Sequence, residues 1–442
     1  MFSRIKTSNI RNFSDTIKRY VTASPKYSPE TYAIVVRNGS PYNTFEPDKE
    51  GYYKKGLNVD NSERGYGFDF TNIGNVCYYP YEFKHDNSLW IVEPQGKFEN
   101  IQGKPWYRSN KIILSEEYPF YSVDTIKTLD LTVNSKYIAH ACGLGKFDIL
   151  ELWKASKTPI SNIDLVLEFA SGCGRVDVLN WLDKSGFELN PTMNVIGSTI
   201  SYGHVDVLKW WIEKVGMTRL EKYVLDSYLM QIAVDKASTN GHVEMLDYLK
   251  KIGLLKHGDY TKDAIDQASG KGHTNVLEWW HNSGLALKYS ENAIDIASWN
   301  GRTNVLNWWV KSNLPLYYSN QAIDTGSRRG HRNVLEWWKN SGLPLKYSIN
   351  SLDFASHDGR TEILDWWFNS GLKLKYSDQA MLYASINGHI DVLNWWKNSG
   401  LSLKYDPHKI INYNAIYDNP HVKISTTTLT WWRQSGLLQQ VL

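Results

Sequence analysis

Residues 271–290 read KGHTNVLEWWHNSGLALKYS. The phrase returns as GRTNVLNWWVKSNLPLYYS from Gly301, GHRNVLEWWKNSGLPLKYS from Gly330, GRTEILDWWFNSGLKLKYS from Gly359 and GHIDVLNWWKNSGLSLKYD from Gly388. Its tandem tryptophans stand at 279/280, 308/309, 337/338, 366/367 and 395/396, a step of 29 residues each time. A fixed period of this size means stacked copies of one supersecondary unit.

Within the phrase, Val276, Leu277, Trp279 and Trp280 cover one broad side of a helix, while Asn275, Glu278 and His281 face away. Gly284 supplies a helix stop with positive φ. A second helix precedes it in each unit, written ENAIDIASWN, NQAIDTGSRR, INSLDFASHD and DQAMLYASIN. Ser290, Ser319, Ser348 and Ser377 stand at N-cap positions, and Gly301, Gly330, Gly359 and Gly388 make the turn between the two helices. A lone helix–turn–helix unit cannot bury its apolar side, so neighbours must cover it.

The order A-[IL]-D-x-A-S-x-x-G-[HR]-x-x-V-L-x-W-W-x-x-S-G-L resembles the ankyrin repeat, with its paired alanines, Gly-His turn, paired aliphatics and closing glycine. Ankyrin units run to about 33 residues. The residues missing here fall between Gly284 and Glu291, where that family builds a β-hairpin finger. The resemblance therefore implies fingers reduced to a short extended loop, LxLKY. The family's Thr-Pro-Leu-His signature is replaced by Asn-Ala-Ile-Asp at 292–295 and Gln-Ala-Ile-Asp at 321–324. The divergent unit is similar to ankyrin proteins of giant DNA viruses of amoebae and of some fungi. The fold class expected is an α-solenoid of about ten ankyrin-like units after a small β-rich domain.

A chain of 442 residues is long enough for more than one domain. Lys plus Arg at 49 against Asp plus Glu at 46 leaves little net charge, so no general affinity for polyanions such as nucleic acid is implied. Cys77, Cys142 and Cys173 are too few for a disulfide framework and fit a reducing, cytoplasmic setting. No apolar run approaches bilayer-spanning length, so no membrane partner is expected.

Taken in order, residues 1–23 form a basic, amphipathic arm or helix, with a mitochondrial-type transit peptide as the competing reading. Residues 24–124 carry short aromatic and β-branched runs (YAIVVRNG, GYYKKGLNVD, GYGFDF, NVCYYPYEF, SLWIVEPQG, NKIIL) between Gly, Pro and Asn breaks, as strands do. The array occupies 125–405. Its worn opening units keep phase at Gly145, Gly174 and Gly203, and a segment around Arg219–Met230 then inserts about nine residues. Residues 406–442 form a degenerate capping unit.

Histidines 204, 242, 273, 331 and 389 share one repeat position, with Arg175, Arg302 and Arg360 in other units. They form a ladder, not a cluster converging on an ion, so turn-stabilising bonds are expected and no metal. The indole pairs share a helix side with Val and Leu, which makes them core and not a base-stacking platform. Asp266, Asp295, Asp324 and Asp353 read as hydrogen-bond partners between units. No phosphate-binding loop, G-x-S-x-G, H-E-x-x-H or C-x-x-C is present, and no cofactor is implied. Cys77, Glu82, His85 and Asp86 lie close in sequence without a recognised spacing.

Positions that vary while their neighbours repeat are not dictated by the fold. On the first helix these are Ile296/Trp299, Thr325/Arg328, Phe354/His357 and Tyr383/Ile386, with Arg329 and Asp358 beside them. In ankyrin proteins, to which the units are similar, this helix lines the concave side where partners bind. The function expected is a non-enzymatic, monomeric scaffold that binds a partner protein there, a host protein in infected cytoplasm if the viral resemblance holds. The alternative is an enzyme or substrate adaptor with its chemistry or recruitment in the β-rich domain, near Cys77 or His85.

Overall fold

The structure is a computed structural model that describes residues 27–28, 31–37, 55–59, 68–78, 87–101, 103–159, 161–224, 227–256, 258–413 and 423–438. The 1–23 arm, Glu82, His85 and Asp86 lie outside the described residues. The chain divides into two compact units, Met1–Thr199 with Asp206–Leu220, and Ile200–Val205 with Glu221–Leu442.

The first unit opens with a seven-stranded antiparallel sheet. Its strands are β1 (Tyr32–Arg37), β2 (Gly56–Val59), β3 (Phe68–Asn72), β4 (Asn87–Pro94), β5 (Glu99–Asn100), β6 (Trp106–Ser109) and β7 (Lys111–Pro119). Their order is β2-β7-β4-β1-β3-β6-β5. One layer of the core is Ile34, Val36, Phe70, Val92, Ile112 and Leu114, flanked by Tyr32, Phe68, Trp90 and Tyr107. Helical pairs follow. Tyr137 of helix Ser135–Leu144 donates to the Phe120 carbonyl at 2.6 Å, and Asn134 donates to the Cys77 carbonyl at 3.2 Å. The first pair is thereby fastened to the end of the sheet.

The second unit is a run of helical pairs. Asp263–Lys271 precedes Thr274–Asn282, Asn292–Trp299 precedes Thr303–Lys311, and Gln321–Arg328 precedes Arg332–Asn340. Asn350–His357 with Thr361–Asn369, and Gln379–Ile386 with Ile390–Asn398, continue the series. Successive first helices pack on one another, as do successive second helices. The inserted segment forms a short extra helix, Met217–Val224, and the boundary between the two compact units falls inside it. The LxLKY segments carry no strand among the described residues. Near the end, Asp406 caps Pro407–Ile411 and Ser425 caps Thr426–Gln434.

The two tryptophans of each pair have different surroundings, which corrects the reading of both as core. Adjacent helix positions differ by about 100° in direction, so the two rings of a pair meet different neighbours. The second ring is buried at Trp280, Trp309, Trp338, Trp367 and Trp396. Its Nε1 donates to a serine of the preceding first helix: Trp309 to Ser269 (3.2 Å), Trp338 to Ser298 (3.2 Å), Trp367 to Ser327 (3.0 Å) and Trp396 to Ser356 (3.0 Å). The first ring is half-buried, apart from the buried Trp366. It reaches back to a polar side chain of the preceding second helix, as Trp308 does to Glu278 (2.8 Å) and Trp337 to Asn307 (2.7 Å). One indole is mortar inside the stack, and the other ties it along the outside.

The serines at 290, 319, 348 and 377 sit one residue before the positions flanking the helices, yet they do an N-cap's work. Ser319 accepts from the Gln321 amide at 3.1 Å and donates to Asp295 of the preceding unit at 2.5 Å. Asp266, Asp324 and Asp353 receive Ser290, Ser348 and Ser377 in the same way. Asp235 repeats the arrangement with Thr261, a partnership hidden from the sequence by the inserted residues.

Candidate functional site

The histidine and arginine ladder is built on the turn glycines. Gly301, Gly330 and Gly359 hold φ of 73°, 78° and 73°. A Cβ on Gly301 or Gly359 would sit 3.1 Å or 2.8 Å from the nearest atom of His331 or His389 in the next unit, and on Gly330 it would sit 3.4 Å from Arg360. The backbone requires glycine at all three turns, and at Gly359 the neighbouring ring requires it as well. Burial holds the His273, His331 and His389 rings below the ordinary histidine pKa, against an opposing hydrogen bond to the preceding unit's backbone.

The loops make a second ladder. Lys288, Lys346, Lys375 and Lys404 lie 4.3–4.5 Å over the rings of Tyr260, Tyr318, Tyr347 and Tyr376, and each donates to that tyrosine's carbonyl. Tyr289, Tyr318 and Tyr347 pack against the buried Trp309, Trp338 and Trp367 at 4.8–4.9 Å and donate to the next loop's backbone. Repetition of AS and LKY within the chain was the signal that could have found both partnerships.

On the first helices, the variable positions form a linked series. Arg329 lies 5.0 Å over the exposed Trp299, and Arg328 lies 5.3 Å over the half-buried Phe354. Arg328 also pairs with Asp358 at 3.1 Å. His357 meets Asp358 at 2.5 Å and the edge of Tyr383 at 5.3 Å. Ile296 packs toward Gly270, and Ile386 is half-buried. Thr325 departs from the series: it is buried, and its hydroxyl donates to the Gln321 carbonyl of its own helix.

In the sheet region the Cys77 thiol is buried and its pKa is pushed far up by desolvation. That keeps it protonated, the opposite of what a nucleophilic cysteine requires. Among the described residues no His, Cys, Asp and Glu are grouped to hold a metal ion, and no helix is long and apolar enough to cross a membrane.

The geometry defines a class, a tandem helical-repeat array preceded by an antiparallel sheet. No protein-family model matches the chain, and no curated protein does. Among solved structures, the human ASB11 ankyrin repeat domain is similar over 39% of this chain and 85% of its own, at 16% identity and a TM-score of 0.32. A likeness at that score carries no weight for fold or function. The repeat architecture rests on the helical pairs and their recurring contacts.

Proposed function

We propose that the chain is a non-enzymatic scaffold that binds a partner protein along the first-helix stripe, the concave side of an ankyrin-like array. One observation carries the reading: Trp299, Arg329, Arg328, Phe354, Asp358, His357 and Tyr383 touch in series across consecutive units, at positions that the repeat leaves free. An exposed indole and half-buried rings beside arginine have the composition of binding hot spots. The sequence resemblance to repeat proteins of amoebal giant viruses makes a host protein the first partner to seek. Affinity capture with the full chain, repeated with Trp299→Ala and Arg328→Ala, tests the proposal. Loss of the captured partner with helicity retained supports it, and unchanged capture overturns it.

A further inference from the structure

The turn at Gly330 differs from its equivalents in charge. Arg328, Arg329, His331 and Arg332 surround it, where the neighbouring turns read Trp299-Asn300-Gly301-Arg302-Thr303 and His357-Asp358-Gly359-Arg360-Thr361. Each turn is layered on the next: His331 lies over Gly301, and the Arg360 Nε is 3.5 Å from where a Gly330 Cβ would stand. The layering brings Arg302, Arg329 and Arg360 around His331, and all three add to the burial that lowers its pKa.

The carboxylates nearby are largely occupied. Asp358 is shared by Arg328 and His357, and Glu336 accepts from Trp366 at 2.7 Å. Glu362 stands beside Gly330. Arg302 and Arg329 are exposed, and among the described residues neither has an ion-pair partner. The Arg360 Nε is a buried donor without an acceptor among the described residues. Next to them Trp299 is 41% exposed, with the Arg329 guanidinium 5.0 Å over its ring.

We infer that Trp299 with Arg302, Arg329 and Arg360 docks a carboxylate-rich segment of a protein partner. The inference rests on the scaffold reading and narrows its partner. Guanidinium groups take carboxylates through paired N–H donors, and the part of the indole that Arg329 leaves exposed receives an apolar residue set among them. A nucleic-acid backbone fits less well. Its evenly spaced phosphates would meet Asp358 and Glu362 beside the arginines, whereas a peptide can place neutral residues opposite them.

The test titrates the full chain with a fluorescein-labelled peptide of alternating Asp and Glu around one Phe, and with labelled single-stranded DNA of equal charge. The expected result is peptide binding that weakens with salt. Arg302→Glu and Arg329→Glu should each weaken it by about tenfold or more, with helicity and melting unchanged, while Lys397→Glu leaves it intact. Absence of peptide binding, equal loss in Lys397→Glu, or tighter binding of DNA through the same arginines overturns the inference. The two readings fail separately. If Trp299→Ala abolishes partner capture and both charge reversals spare it, the scaffold stands and the acidic segment falls. If none of the three alters capture, both fall.

Discussion

In the sheet, Ala33 pairs with Ile91 on one side and Thr71 on the other, and apart from the local β5–β6 hairpin the strands meet partners of their own far along the chain. In the helical run, Trp309, Trp338, Trp367 and Trp396 each donate to a serine 40 residues back, and each finds the same surroundings. The sheet is held by contacts made once, so it stands or falls as a whole. The run is held by one contact set made repeatedly between neighbours, so its stability is close to a sum of local terms. Damage should spread differently in the two regions, and the sharpest way to break the comparison is to remove one copy.

Trp338→Ala has the largest expected effect. It deletes a buried indole, leaves a cavity and removes the donor to Ser298, at a cost of about 3–5 kcal/mol. Hydrogen exchange should show lost protection concentrated in the helices from 292 to 369, with the sheet unaffected. A cooperative loss reaching β1 and β4 would refute the local account.

Acid should act next on the helix Ser135–Leu144, which is fastened to the sheet. His140 lies between Tyr121 and Phe169, and burial, helped by Lys136, pushes its pKa down to about 4. A histidine whose folded pKa is depressed contributes fully above its unfolded value of about 6.5 and loses that contribution as pH falls toward the folded value. The loss amounts to about 3 kcal/mol by pH 4. Exchange protection in Ser135–Leu144 followed from pH 7 to 4 checks it, and His140→Phe should flatten the profile. Burial shifts His273, His331 and His389 in the same direction, so melting of the whole chain would not separate the regions.

Two glycines isolate what joins one unit to the next. Gly342 and Gly359 share a φ of 73°, but a Cβ on Gly342 meets nothing within 4 Å, while one on Gly359 collides with His389. Gly342→Ala should cost about 1 kcal/mol for the backbone alone. Gly359→Ala should cost about 1 kcal/mol more, because a packed ring must move. Equal urea midpoints for the two variants would show that the His389 contact contributes nothing.

The same contrast explains what could be read in advance. The helical run was legible because its residues recur at a fixed step, so Asp295 stood out as a partner between units and Ser319 as a cap, though only packing joins the two. The strand order was not, since nothing local in Gly56–Val59 announces that β2 pairs with β7. The surface positions fell between these cases. Variation across units marked Trp299 and Arg328, but it marked Thr325 equally, and only packing shows that its side chain is buried. The arginines around His331 escaped notice because they come from three turns, and sequence spacing alone does not reveal that layering.

The smallest effect is a gain. Between positions 288 and 404 one step of the loop ladder lacks its lysine: Tyr317 stands where the other units have Lys288, Lys346, Lys375 and Lys404. Tyr317 is 54% exposed, and its ring lies 5.7 Å from Tyr289 without a bond to that residue's carbonyl. Tyr317→Lys would place an ammonium over Tyr289 and donate to its carbonyl, as the other four lysines do for their tyrosines. An exposed cation–π contact contributes about 0.5 kcal/mol, offset in part by the entropy of fixing a lysine and by the lost tyrosine contact. A small rise in the urea midpoint is expected, with slower exchange confined to the loops at 285–290 and 314–319. If the variant is less stable than the native chain, the lysine rungs decorate the loops and the tyrosine-to-backbone bonds alone replace the missing hairpins.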